Sequence, residues 1–156
     1  MSTNLSGQWI ALTAADGHRF DAFTVAPAAA VKGTVVLLPE IFGVNGHIQS
    51  VATDLARLGY AAIAPALFDR VQQKVNLGYD KDGVEQGIRL KSAVPVEHAL
   101  LDVAAALAHA GEARSAVVLQ AVELAPRLRL APFADRAHHR AKTFMGEPDA
   151  EAARSD

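Results

Sequence analysis

"TVVLLPEIFGVNGHI", Thr34 to Ile48, decides how the rest of the chain is read. Thr34–Leu38 is apolar or β-branched without alternation, the pattern of a strand buried on both faces. Pro39 and Glu40 follow at once, then a turn through Gly43. Ile48, Val51, Ala52, Leu55 and Leu58 recur at helical spacing, which predicts a helix over Gly46–Leu58 with one buried stripe. Asn45 suits its N-cap, and Gly59 sits where a helix ends in a left-handed residue. "YAAIAPALF", Tyr60 to Phe68, is the next apolar strand, centred on Ala61–Ala64. Strand, turn, helix and strand within roughly thirty residues make a βαβ unit with parallel strands. Glu40 therefore stands at the carboxyl end of a central strand, where open α/β sheets bind ligands. The alternative is a turn carboxylate that caps the following helix, and at this level both readings stand.

On the N-terminal side, Gln8–Leu12 and His18–Ala26 have strand character, and Asp16-Gly17 between them is a hairpin-turn signal. They predict an antiparallel hairpin at a sheet edge. On the C-terminal side the pattern weakens over Leu77–Ser92, with a short helix around Val84–Leu90. A stronger helix is expected over Val96–Ala110, with Pro95 at its start and Glu97 near its positive end. Its expected buried stripe is Val96, Leu100, Val103 and Leu107, and Gly111 ends it. Ala116–Leu119 reads as a third parallel strand. The fold class is α/β, a three-layer doubly wound sheet with a leading antiparallel hairpin.

Composition narrows the function. The chain has 156 residues, enough for one domain with a real core. A net charge of −2 gives no electrostatic footprint for nucleic acid. No apolar run reaches the roughly 18 residues of a membrane span, and no basic start followed by an apolar block marks a secretory leader. The expectation is a cytoplasmic protein with no nucleic-acid or membrane partner. With 0 cysteines there is neither a disulfide framework nor a thiolate metal site. Gly43 and Gly46 form no phosphate-loop pattern. Asp135, His138 and His139 share a helical face, but a solvated polar patch outweighs a metal site there. His98 and His109 read as helix surface; His47, in the first turn after Glu40, could approach a pocket, but a surface position outweighs it. Ser115 precedes its strand, at the wrong end of the sheet for catalysis.

Three runs in order, "LPEIFGVNGHI", "LARLGYAAIAPALFDR" and "VEHALLDVAAALAHAG", resemble the N-terminal part of the dienelactone hydrolases, α/β-hydrolase enzymes that open lactones and cleave esters. The resemblance covers roughly Gly7 to Gly111, and the E-I-F-G-V-N run is its most specific piece. It implies that Glu40 activates a cysteine nucleophile and that the backbone N–H of Ile41 is an oxyanion donor. It also implies a small ester or lactone substrate and no cofactor. An activated nucleophile together with fixed donors is the requirement of acyl transfer.

The family's nucleophile sits in a G-x-C-x-G elbow after a strand. Here "SAVVL" continues as "QAVELAPRLRLAPF", which places Ala121 near the nucleophile's position, and no Ser, Cys or Thr lies between Ala116 and Lys142. The family's acid and histidine lie after further strands, and the chain stops at Asp156, too early to build them. A substrate-binding arginine would fall near Val84, and its role does not transfer to the neighbouring Arg89. Of 11 glycines only Gly146 lies beyond Gly111, while Arg114, Arg127, Arg129, Arg136, Arg140 and Arg154 crowd the tail. The expectation is therefore a family-like part over 1–111 and a divergent or frame-shifted, partly disordered tail over 112–156. A reading-frame change is preferred to divergence, because the resemblance stops abruptly. The chain is expected to be a C-terminally incomplete hydrolase of this family, inactive as it stands. The alternative is a non-catalytic remnant that forms a homo-oligomer through the exposed edge left at Val117.

Overall fold

The computed structural model describes residues 5–111 and, as backbone alone, the strand Ala116–Gln120. Strands β1 (Gln8–Thr13) and β2 (Arg19–Val25) form the hairpin, which turns at Gly17 with φ +84°. Strand β3 (Thr34–Leu38), helix α1 (Gly46–Arg57) and strand β4 (Ala61–Pro65) make the βαβ unit. A 3-10 turn, Leu67–Arg70, follows β4, then helices α2 (Lys81–Ala93) and α3 (Val96–Ala110) and strand β5 (Ala116–Gln120). The sheet order is β1-β2-β4-β3-β5. β3 and β4 run parallel, Val35 opposite Ala62, while β2 meets β4 antiparallel, Ala22 opposite Pro65. The sheet is thus mixed, with β4 at the junction of its two halves.

Period-two alternation divides the sheet into two faces. Leu12, Phe20, Ala22, Val36 and Ile63 share one core cluster with Ala106 of α3. The residues between them, among them Val25, Val35, Leu37, Ala62 and Ala64, are also buried. They point the other way, and α1 packs on β4 and β2 through Ile48, Ala52, Leu55 and Ala56. Helix, sheet and helix give the three layers expected. The expected cap is present, since Asn45 Oδ1 accepts from the Ile48 N–H at 3.1 Å, and Gly59 takes φ +95° at the end of α1.

The expected stripe of α3 is corrected in its first half, whereas Leu107 of that stripe packs half-buried against the core cluster. Val96 and Leu100 are 72% and 61% exposed, and the buried positions are Asp102 and Ala106. The helix is turned so that small alanines approach the sheet and Asp102 meets Arg70, whose guanidinium donates Nε and Nη2 to it at 2.9 and 2.7 Å. The short helix expected around Val84–Leu90 is a longer one, α2, capped by Asp80, whose Oδ1 accepts from the Gly83 N–H at 2.8 Å. Among the described residues no single helix is long and apolar enough to cross a membrane. The expected tail, 112–156, lies outside the described residues apart from the backbone of β5.

Candidate active site

Parallel pairing brings the carboxyl ends of β3 and β4 to the same side, so the segments that follow them face each other. After β3, Glu40–Gly43 closes a turn in which the Gly43 N–H donates to the Glu40 carbonyl at 3.2 Å. Gly43 has φ +77°, and a Cβ there would lie 2.3 Å from the Val75 carbonyl oxygen. Only glycine meets both conditions. Residues 75–77 cross the turn as a strap. Asn76 bridges Gly43, and the Leu77 N–H donates to the Phe42 carbonyl at 3.0 Å. Tyr79 packs its ring on Phe42, with centroids 4.4 Å apart, and its hydroxyl accepts from Asn45 Nδ2 at 3.1 Å. The turn is held from the helix side and the strap side together.

Between the turn and the segment after β4 lies a cleft of about 40 Å³, lined by Glu40, Val44, Ala66, Phe68, Asp69 and Val75 among others. That is room for a few waters. Burial raises the Glu40 carboxyl above its ordinary range. No donor among the described residues pairs with it. Burial likewise raises Asp69, opposed by the Asp21 N–H, which donates to its Oδ2 at 2.8 Å.

A raised folded-state pKa makes the ionised Glu40 a penalty on the fold. That penalty is absent below the unfolded value, 4.5, and is fully developed above the folded one. Glu40→Gln is therefore expected to raise the thermal midpoint slightly at pH 7 and to leave it unchanged near pH 4. An equal shift at both pH values would show that charge is not the cause.

The Ile41 N–H has no partner among the described residues. Its carbonyl is pressed by α2, because a Cβ on Gly87 would stand 2.3 Å from the Ile41 oxygen. Glycine to alanine inside a helix ordinarily stabilises by up to about 1 kcal/mol. Gly87→Ala is expected to destabilise instead, by about 1–3 kcal/mol from the overpacking, and to shift the Ile41 amide resonance. Urea unfolding gives the sign, and a stabilised variant would mean that α2 does not bear on the turn.

Glu40 and Ile41 stand together at the carboxyl end of β3, as their spacing required. His47 is not among the residues that line the cleft. It is half-buried, with its ring edge-on to Tyr79 at 6.5 Å. His98, His109 and Arg89 are exposed, away from the cleft lining. Ser115, Ala121, Asp135, His138 and His139 lie outside the described residues. The sequence reading missed Asp69, the Asp16–Arg70–Asp102 group and Tyr79. The one available signal was the run Phe68-Asp69-Arg70, a charged pair placed directly after a buried strand.

The dienelactone hydrolase family profile matches residues 20–121. The carboxymethylenebutenolidase of Pseudomonas putida is 34% identical over 102 residues, which are 65% of this chain and 43% of that protein. A Synechocystis protein provisionally named carboxymethylenebutenolidase is 41% identical over 76 residues, 49% of this chain and 31% of its own length. A solved structure from Klebsiella pneumoniae subsp. pneumoniae, provisionally named a dienelactone hydrolase, superposes with a TM-score of 0.58 at 28% identity, covering 74% of this chain and 50% of that one. The chain spans at most half the length of these relatives. With the matched region running from β2 through β5, and with the carboxylate turn at the strand end where the resemblance located it, the chain belongs to the dienelactone hydrolase family.

Proposed function

We propose that residues 5–111 carry the donor side of an ester- or lactone-hydrolase site, and that the 156-residue chain by itself does not complete it. In this reading the Glu40 carboxylate takes the proton of a cysteine thiol. The thiolate attacks the substrate carbonyl carbon, and the Ile41 N–H donates to the oxygen that becomes negative. A base works best when its pKa approaches that of the group it deprotonates, and a thiol sits near 8.5. Burial moves Glu40 in that direction. The observation that carries the reading is the pairing of an unpartnered carboxylate with an unpartnered N–H on one rigid turn, among the described residues.

Translating the two other frames downstream of Gly111 is the test. We expect one of them to continue β5 into G-x-C-x-G. The restored chain should then hydrolyse aryl esters or a dienelactone and lose about a hundredfold of its rate on Glu40→Gln. A restored chain indifferent to that substitution would end the reading.

A second reading is a non-catalytic remnant that self-associates. It is favoured by one observation, that β5 ends the strand order next to β3 and so stands at a sheet edge. Edges of this kind recruit further strands. Light scattering on the purified chain separates the cases, since a monomer at all concentrations excludes this one.

A further inference from the structure

Asn45 is 4% exposed and ties three segments together. Its backbone N–H donates to the Gly43 carbonyl at 2.9 Å, within the turn. Its Oδ1 accepts from the Ile48 N–H and so caps α1. The other end of the same amide, Nδ2, donates to the Tyr79 hydroxyl at 3.1 Å, 34 residues further along the chain. A serine or an aspartate caps a helix about as well. What the amide adds is a separate donor group, and burial obliges that donor to find a partner. Its partner stands where the strap meets α2. On the strap side of Tyr79, Asn76 bridges Gly43, and the Leu77 N–H donates to the Phe42 carbonyl. On the other side, Asp80 caps α2. The glycine face of α2 then meets backbone twice: neither Gly83 nor Gly87 has room for a Cβ, the first against the Gly78 carbonyl oxygen and the second against that of Ile41. One hydrogen bond therefore joins the start of α1 to the junction of strap and α2, and both of those bear on the Glu40–Gly43 turn.

We infer that the Asn45–Tyr79 hydrogen bond locks the strap and the start of α2 against that turn, and that Tyr79 is a positioning residue for the Glu40 carboxylate and the Ile41 N–H. The inference rests on the turn being the donor side of the site. Tyr79 is not among the residues that line the cleft. Its hydroxyl acts through Asn45, and its ring acts through Phe42, whose centroid lies 4.4 Å away.

Tyr79→Phe removes the hydroxyl and keeps the ring on Phe42. On the full chain, amide hydrogen exchange at Gly43 and Leu77 is expected to speed up together by about two- to tenfold, through a local opening that the lost bond no longer resists. The Ile41 amide resonance should shift with them. Ile63→Val is the control, a change of similar cost in the core cluster that faces α3. It should leave exchange at Gly43 and Leu77 as in the parent. Asn45→Ser keeps the cap and loses the donor, so it should reproduce Tyr79→Phe, and the double variant should exchange no faster than the faster single one. Gly43 unchanged in Tyr79→Phe, equal acceleration in Tyr79→Phe and Ile63→Val, or single effects that multiply in the double variant would each overturn the inference. If Asn45→Ser does not fold, Tyr79→Phe against Ile63→Val decides alone. None of these readouts needs turnover. In the restored chain Tyr79→Phe should lower kcat and leave KM in place, and an unchanged kcat there would overturn the positioning role. A restored chain indifferent to Glu40→Gln, with the amides behaving as expected, would reject the donor-side reading while leaving the lock in place.

Discussion

Arg70→Ala is expected to cost about 3–5 kcal/mol of folding stability. Asp102 is 0% exposed, and its two carboxylate oxygens accept from Arg70 Nη2 at 2.7 Å and Nε at 2.9 Å. The other edge of the guanidinium reaches Asp16 in the hairpin turn at 2.8 Å. Removing the arginine strands a fully buried negative charge on α3, and that desolvation is where the cost arises. The pair itself is worth much less, because both charges had to leave water to form it. Arg70→Met combined with Asp102→Leu should therefore recover most of the loss. Against a typical domain stability of about 5–15 kcal/mol, the single variant is close to unfolding. Urea melts of the three chains decide the matter, and a single-variant loss under about 1 kcal/mol would mean that Asp102 finds water or another donor. The same group predicts the acid behaviour. Arg70 holds the Asp16 carboxyl down at about 2 from 3.8. Its contribution is complete above the unfolded value and is lost as pH falls through the folded one.

Purified as the 156-residue chain, the protein is expected to turn over aryl esters and dienelactone about a million-fold more slowly than an intact triad enzyme. The chain has 0 cysteines, and no hydroxyl residue lies between Ala116 and Lys142, where the elbow would fall. Without nucleophile, base and acid, oxyanion donors and substrate binding leave only a small residual rate over water, so the donor proposed at the Ile41 N–H cannot make up the loss. For the same reason Glu40→Gln should leave the residual rate unchanged. Hydrolysis that co-purifies with the chain and falls on that substitution would show that Glu40 serves a nucleophile elsewhere in it.

What the sequence made legible follows from how local each signal is. The unalternating run Thr34–Leu38, the Asn45 cap and the glycines at 17, 59 and 111 act within a few residues, and each was read correctly. The orientation of α3 was not. Counting apolar positions put Val96 and Leu100 inward, because a buried aspartate carries no apolar signal and its partner lies 32 residues earlier. The same holds for the candidate site. Glu40 and Ile41 were visible as part of a contiguous run. Asp69 acts on a strand 48 residues away, and no periodicity reports that distance. Gly87 carries no local sign of its role, because the Ile41 carbonyl that requires a glycine there belongs to a distant segment.

The position of β4 between an antiparallel and a parallel neighbour constrains how the chain reaches its native state. The β1–β2 hairpin closes a short loop and can pair within microseconds. It then has no partner for its inner edge until Ala62–Pro65 arrives, since Ala22 must find Pro65 and Val25 must find Ala62. That closure spans the whole of β3 and α1 and carries the entropy of a long loop. β3 meets β4 across α1 alone, so the βαβ unit is the nearer assembly and the hairpin docks onto it afterwards. On a ribosome, synthesis of the first 25 residues therefore leaves an apolar strand edge waiting, and the interval lasts until residue 65 has left the exit tunnel.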